Sequence, residues 1–395
     1  MTHDAIRTSI LLREIFASGR NRVAFFLGAG CPVSVRVPTA TGDEALIPDV
    51  AGLTAHVLQD LATSHAALAG KLANYAAATH LDVSNIEAVL GRVRAIVALV
   101  KDAEFPPFNA GELGVIHDHI CRVISTRVRR DLPSGENGYR GIRTWVKGTA
   151  RDHPVEIFTL NYDLLVEQAL EESKITFFDG FTGSKSPFFD VTAIEREDLP
   201  PTWMRLWKLH GSINWKDVDG SVVRKTEELV DCNALIHPSH QKYDQSRKLP
   251  YLALIDRLKR YLRRPSASMI VCGYSFRDIH INDVIEEALE QNPTAAVFSF
   301  HFGSLHGYPE AIALAQRQSN LSLLGEDKGV IRTKVGSWEL DPTADRRVTG
   351  RIFGSVLPGA ATWGGGSMRF ALGDFASFGD FLLEMTGEIG SSKGA

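Results

Sequence analysis

The sequence predicts an α/β protein built on a Rossmann-like, doubly wound parallel sheet, with a helical insert and a small β-rich C-terminal lobe. Three observations carry this. Short, continuously apolar runs recur along the chain, as strands buried on both faces require. Four of them end in a short polar or glycine-rich turn, at Gly28, Asn161, His210 and Gly273. Helical periodicity usually follows each turn, and in such folds the ligand site lies beyond the carboxyl ends of the strands.

Along the chain, residues 4–19 read as a helix, with Ile6, Ile10, Leu11, Ile15 and Phe16 at helical spacing and Gly19 to close it. Arg22–Leu27 (RVAFFL) is the first buried strand and runs into Gly28-Ala29-Gly30. Residues 51–128 read as an Ala-rich helical insert, broken at Phe105-Pro106-Pro107-Phe108, and 131–141 read as loop. Val155–Leu160 is a strand, Leu164–Glu172 a helix, and Met204–Leu209 and Ser268–Cys272 are further strands. A helix near Ile281–Gln291 and a strand at Ala295–Phe300 close this region. Gly329–Leu340, Arg347–Val356 and Ser367–Leu372 alternate apolar and polar residues, Phe378–Met385 reads as a terminal helix, and Gly390–Ala395 as a tail. The division expected is a catalytic domain over 1–310 and a β-rich lobe over 311–395.

Composition narrows the function classes. With 395 residues, 44% apolar and 23% charged, the chain can bury a sizeable core. Its 47 acids against 43 bases exclude a strongly basic nucleic-acid coat. No apolar run is long enough for a membrane span, and the charged start MTHDAIRTSILLREIF does not read as a signal peptide, so a cytoplasmic location is the expectation. Cys31, Cys121, Cys232 and Cys272 form no C-x-x-C pair and read as buried thiols. His117-Asp118-His119 place two imidazoles apart on a helix, and His237-Pro238-Ser239-His240 lacks further ligands, so no metal is expected. Eight Arg or Lys against two acids over 122–151, and the Arg257–Arg264 patch, read as a solvated face or protein interface, with contact to nucleic acid or an acidic partner as the functional alternative.

The four turns carry the chemistry. Glycines after a strand let backbone approach a phosphate, although Pro32 and Val33 break the six-residue dinucleotide motif. Asn161 and Asp163 are polar groups released at a strand end, or helix caps. His210, followed by Gly211 and Ser212, supplies an imidazole suited to proton transfer. Gly273-Tyr274-Ser275 offers a second glycine and a hydroxyl.

Taken in order, Gly28-Ala29-Gly30 with Pro32, Ile47-Pro48-Asp49, Thr159-Leu160-Asn161-Tyr162-Asp163, Leu209-His210-Gly211-Ser212 and Gly273-Tyr274-Ser275-Phe276 with Asp278 resemble the sirtuin (SIR2) family, and more closely its prokaryotic SIR2-like, NAD-consuming branch. The resemblance implies NAD held across the carboxyl edge as substrate. Gly28, Ala29, Gly30, Pro48, Asp49, Gly211, Ser212, Gly273 and Ser275 would bind it, and Asn161, Asp163 and His210 would be catalytic, His210 as the base. The chain departs from the deacylating sirtuins in two ways. Only Cys232 and Cys272 follow His210, so the four-cysteine zinc module is missing. The Gly-Ile-Pro-Asp-Phe-Arg stretch is reduced to Ile47-Pro48-Asp49. The expectation is therefore an NAD glycohydrolase releasing nicotinamide and ADP-ribose. Resemblance alone adds a role in bacterial anti-phage defence and a partner ATPase of the HerA type, while the insert and C-terminal lobe, outside the motifs and long enough to bury an interface, lead to the expectation of a homo-oligomer. The alternatives are an NAD-dependent protein deacylase and a non-catalytic NAD or ADP-ribose sensor.

Overall fold

In the computed structural model, residues 1–40, 42–100, 105–196, 199–218, 221–225, 250–340, 347–355 and 368–387 are described. Cys232, His237, His240 and the 390–395 tail lie outside them. The large sheet has ten strands: β1 (Thr2–Asp4), β2 (Arg22–Leu27), β3 (Glu156–Thr159), β4 (Phe177–Phe178), β5 (Met204–Lys208), β6 (Ala267–Cys272), β7 (Ala296–Phe300), β8 (Leu321–Leu324), β9 (Lys328–Ile331) and β10 (Lys334–Glu339). Their spatial order is β1-β10-β9-β8-β7-β6-β2-β3-β5-β4. The pairings from β8 across to β4 are all parallel, and β9 alone runs antiparallel to its neighbours. The protein is thus an α/β fold with a central mixed sheet, flanking helices and smaller peripheral sheets.

Topology places the cleft. From β2 the chain adds β3 and β5 on one side, then returns to the other side of β2 to lay down β6, β7 and β8. The strand order therefore reverses between β2 and β6, and the crevice beyond their carboxyl ends is the expected ligand position.

The strands are buried on both faces because successive side chains feed two cores. Phe25 and Ile157 join one cluster, while their neighbours Phe26 and Phe158 join the other. On the first face lie α1 (Ala5–Ala17), α6 (Gly138–Gly148), α7 (Leu165–Glu172) and α11 (Phe375–Met385). There Phe16 packs edge-on against Trp145 and Phe381, with ring centroids 5.4 and 5.5 Å apart. Helices α6 and α11 touch at glycine, where a Cβ on Gly141 would meet the Gly379 backbone. Helices α8 (Tyr251–Leu262), α9 (Ile279–Gln291) and α10 (Pro309–Arg317) pack on the second face through Leu254, Leu258, Ile285 and Leu314.

The insert forms α2 (Val50–Ser64), α3 (Ala66–Thr79), α4 (Ile86–Val100) and α5 (Ala110–Val128). Helix α6 falls partly where loop was expected. Its sequence holds Gly138, Gly141 and Gly148, and the glycines that depress helix propensity are the ones the α11 contact needs. The segment expected as a separate lobe contributes β8, β9 and β10 to the main sheet, and β10 pairs with β1 at the chain start. A boundary at residue 311 falls inside α10. The same segment holds a two-stranded sheet, Phe353–Ser355 with Met368–Phe370, and a second two-stranded sheet pairs Arg36–Thr39 with Gly42–Ala45. A four-stranded antiparallel sheet, built from Phe181–Thr182, Phe188–Phe189, Trp215–Val218 and Ser221–Arg224, flanks β5 in sequence.

At the amino end of the sheet, the fully buried Glu156 carboxylate accepts from Arg257 Nε at 2.9 Å, Arg257 Nη2 at 2.6 Å, Arg264 at 3.0 Å and Trp207 Nε1 at 2.7 Å. Removing one partner of such a group leaves buried charge uncompensated. Glu156→Gln is expected to lower stability by about 3–5 kcal/mol, read as a shift of the urea midpoint at neutral pH.

Candidate active site

Where β2 and β6 end, two turns press together. Gly28 N–H donates to Cys272 O and Gly30 N–H to Gly273 O, each at 2.9 Å, continuing the ladder past the strands. A Cβ on Gly30 would sit 2.8 Å from Gly273 Cα, and one on Gly28 would collide with the Gly273 carbonyl. Gly273 itself has φ of +65°. Glycine is therefore required here by backbone contact, independently of any ligand. The helix expected after this turn is one turn only, Gly30–Val33.

Asn161 leaves β3 beside this junction. Its Nδ2 donates to Gly28 O at 3.1 Å, and its backbone N–H donates to the Thr159 hydroxyl. Asp163 is buried behind it. One carboxylate oxygen accepts Leu165 N–H at 3.1 Å, and the buried Lys208 ammonium donates to the Asp163 carbonyl and to Glu167 at 2.9 Å. Burial raises the Asp163 carboxyl to about 6, against the downward pull of Lys208 and the Leu165 N–H. Asp163 thus anchors the turn through the first N–H of the helix, while the N-cap position itself falls on Leu164.

His210 lies at the end of β5, buried, with Nε2 3.2 Å from Asp278 Oδ2. The other oxygen of Asp278 accepts His280 N–H at 3.0 Å and Ile281 N–H at 3.2 Å, capping α9. One carboxylate therefore both starts a helix and orients the imidazole. Burial pushes Asp278 up, but its bonds to His210 and Ile281 outweigh that and leave it below the usual carboxylate value. Gly211 takes φ of +93°, and Ser212 donates to Tyr162 O at 3.4 Å. Ser275 is half-buried between Tyr274 and Phe276.

The structure therefore joins Gly28, Gly30, Asn161 and Gly273 in one contact, and His210 with the Gly273–Asp278 loop in another. Asp49 has a local role: it caps α2, accepting Gly52 N–H at 2.8 Å, with Pro48 beside Gly52. Among the described residues no group of three His, Cys, Asp or Glu side chains is arranged to hold a metal ion. Sequence reading missed four groups near these turns. Asp278 was quoted in a motif without a role, although an Asp before a helix signals the cap. Lys208 precedes His210 by two residues. His301 follows β7; burial lowers it to about 3, and its ring meets Tyr308 at 4.3 Å. Glu87 comes from the insert and accepts the Tyr162 hydroxyl at 3.0 Å.

The Gly28 and Gly273 turns and the His210–Asp278 pair thus lie at the carboxyl ends of strands in an α/β sheet, beside its order reversal. Residues 155–324 match the family model described as SIR2-like domain. That segment, less than half of the chain, is what the SIR2-like likeness covers. No curated protein matches it. Similar solved structures include a Sir2 homolog in complex with NAD (12% identity, 76% of this chain and 86% of that one, TM-score 0.38). Another is of Sir2 bound to acetylated peptide (14% identity, 74% and 86%, TM-score 0.31). Likeness at this level fixes neither ligand nor reaction.

The Asp163 environment predicts a pH effect. Folded Asp163 holds its proton up to about 6, whereas an unfolded Asp loses it near 3.8. The folded state binds more protons between these values, so this group makes stability fall as pH rises through that window. Asp163→Asn removes the dependence. Relative to the parent it should gain stability from pH 4 to pH 7, by at most about 3 kcal/mol, measured by urea unfolding at both pH values.

Proposed function

We propose that the chain binds NAD across the carboxyl edge between β2 and β6 and breaks the nicotinamide–ribose bond, passing the ADP-ribosyl group to water. The observation that carries this reading is the His210–Asp278 pair at the end of β5, next to the Gly273 turn. An imidazole fixed by a carboxylate at a strand end is placed to take a proton from a ribose hydroxyl or from the attacking water. Asn161 holds the Gly28 turn and Asp163 anchors the strand end below it. Departure of nicotinamide leaves an oxocarbenium-like ribose, and what the protein supplies is position and a proton acceptor.

Transfer to an acyl-lysine is the second reading, since one of the similar structures is of a Sir2 bound to acetylated peptide. Against it stands the sequence, in which only Cys232 and Cys272 follow His210 and no four-cysteine module exists. A defence role and a HerA-type ATPase stay with the resemblance that suggested them, and a homo-oligomer with the length of the insert and the C-terminal segment.

Product analysis decides. Incubation with NAD alone is expected to give nicotinamide and free ADP-ribose. Release of nicotinamide only when an acyl-lysine peptide is added, with acyl-ADP-ribose formed, would establish the second reading. His210→Ala is expected to lower NAD turnover at least ~100-fold. A variant with undiminished turnover would remove His210 from the mechanism.

A further inference from the structure

The insert reaches the neighbourhood of the His210 loop through Glu87. Glu87 lies in the first turn of α4, just after Asn85, whose side chain caps that turn by accepting Glu87 N–H at 2.9 Å. Its carboxylate accepts the hydroxyl of Tyr162, the middle residue of the Asn161–Asp163 turn. Tyr162 is itself held at both ends. Its carbonyl accepts Ile213 N–H at 3.0 Å and the Ser212 hydroxyl at 3.4 Å, and its ring lies 6.4 Å from the His210 imidazole, tilted by 33°. Glu87 also bears electrostatically on Asp278, the partner of His210. The same end of the insert faces that loop a second time, where Arg277 pulls the Asp82 carboxyl down, behind the stronger effect of Ser84.

We infer that Glu87 is a positioning residue for His210. By holding the Tyr162 hydroxyl from the insert, it fixes the carbonyl that clamps residues 212 and 213, so the catalytic loop is ordered only while the insert is docked. This rests on the proposed NAD cleavage for its consequence in turnover, but the clamp itself has a readout that needs no turnover.

The test uses the full chain carrying Glu87→Ala, Glu87→Gln, Tyr162→Phe and the Glu87→Ala/Tyr162→Phe double variant. Glu87→Ala and Tyr162→Phe should each lower kcat for NAD about tenfold, with KM changed less than about threefold. The double variant should be no worse than the worse single one, because both remove one interaction. Glu87→Gln keeps an acceptor oxygen and should recover kcat to within about threefold of the parent. In parallel, amide hydrogen exchange at Ile213 should be about tenfold faster in the Ala and Phe variants, with central-sheet amides unchanged. A parent protein that cleaves no NAD would sink the proposed function, and the Ile213 amide would still decide the clamp. Parent-like Ile213 exchange in Glu87→Ala, additive losses in the double variant, a Gln variant as impaired as Ala, or uniform acceleration across the sheet would each overturn it.

Discussion

Two turns in backbone contact, after β2 and after β6, are the constraint on which the rest of the site hangs. The strand order reverses between them, so their chains leave in different directions and must pass at the shortest distance two backbones allow. The two N–H donors of the Gly28 turn are satisfied by the Cys272 and Gly273 carbonyls, and no Cβ fits at Gly28, Gly30 or Gly273. Because that junction is rigid, the Gly28 carbonyl is a fixed acceptor, and Asn161 can tie the end of β3 to it. The packing also explains why the Cys31 and Cys272 thiols are raised by burial: they lie under the junction.

The two ends of the sheet handle polar groups differently. At the amino end, Glu156 is surrounded by guanidinium groups and an indole, so its charge is spent inside the protein. At the carboxyl end the polar side chains are also held, and one of the arrangements is a carboxylate–imidazole pair. Asp278 divides its oxygens between a helix cap and His210, and Asp163 is absorbed by a backbone N–H and its lysine neighbour. Buried polar groups at strand ends are tolerable because each has a partner. The difference lies in what the partner is: a carboxylate facing an imidazole orients a group that can still exchange a proton.

What was legible in the sequence follows from range. The runs Arg22–Leu27 and Ser268–Cys272 were readable because a strand buried on both faces has no polar phase, and the turn residues stand next to them. Helix α6 was hidden because the glycines that let α11 approach it erase its local propensity. Helix α8, YLALIDRLKRYL, was read as a basic patch, although its Leu254, Leu258 and Leu262 stripe faces the core. β8 is four residues long and too short for periodicity to mark. In the site, the strand-end residues could be found by their neighbours in sequence. Glu87 lies 75 residues before its partner Tyr162, and Lys208 lies 45 after Asp163, so nothing local announced either.

The division of labour across the chain also bears on what a family match can say. The SIR2-like segment, 155–324, contains Asn161, His210, Gly273 and Asp278. It does not contain the Gly28 turn against which Asn161 and Gly273 are packed, nor the insert whose Glu87 holds Tyr162. Residues that pack against Asn161, Gly273 and Tyr162 therefore lie outside the matched segment. The strand-end residues come with the segment, while the groups that hold them from outside come from the Gly28 turn and the insert. A match to the segment therefore says nothing of the residues that pack against its strand ends from the Gly28 turn and the insert.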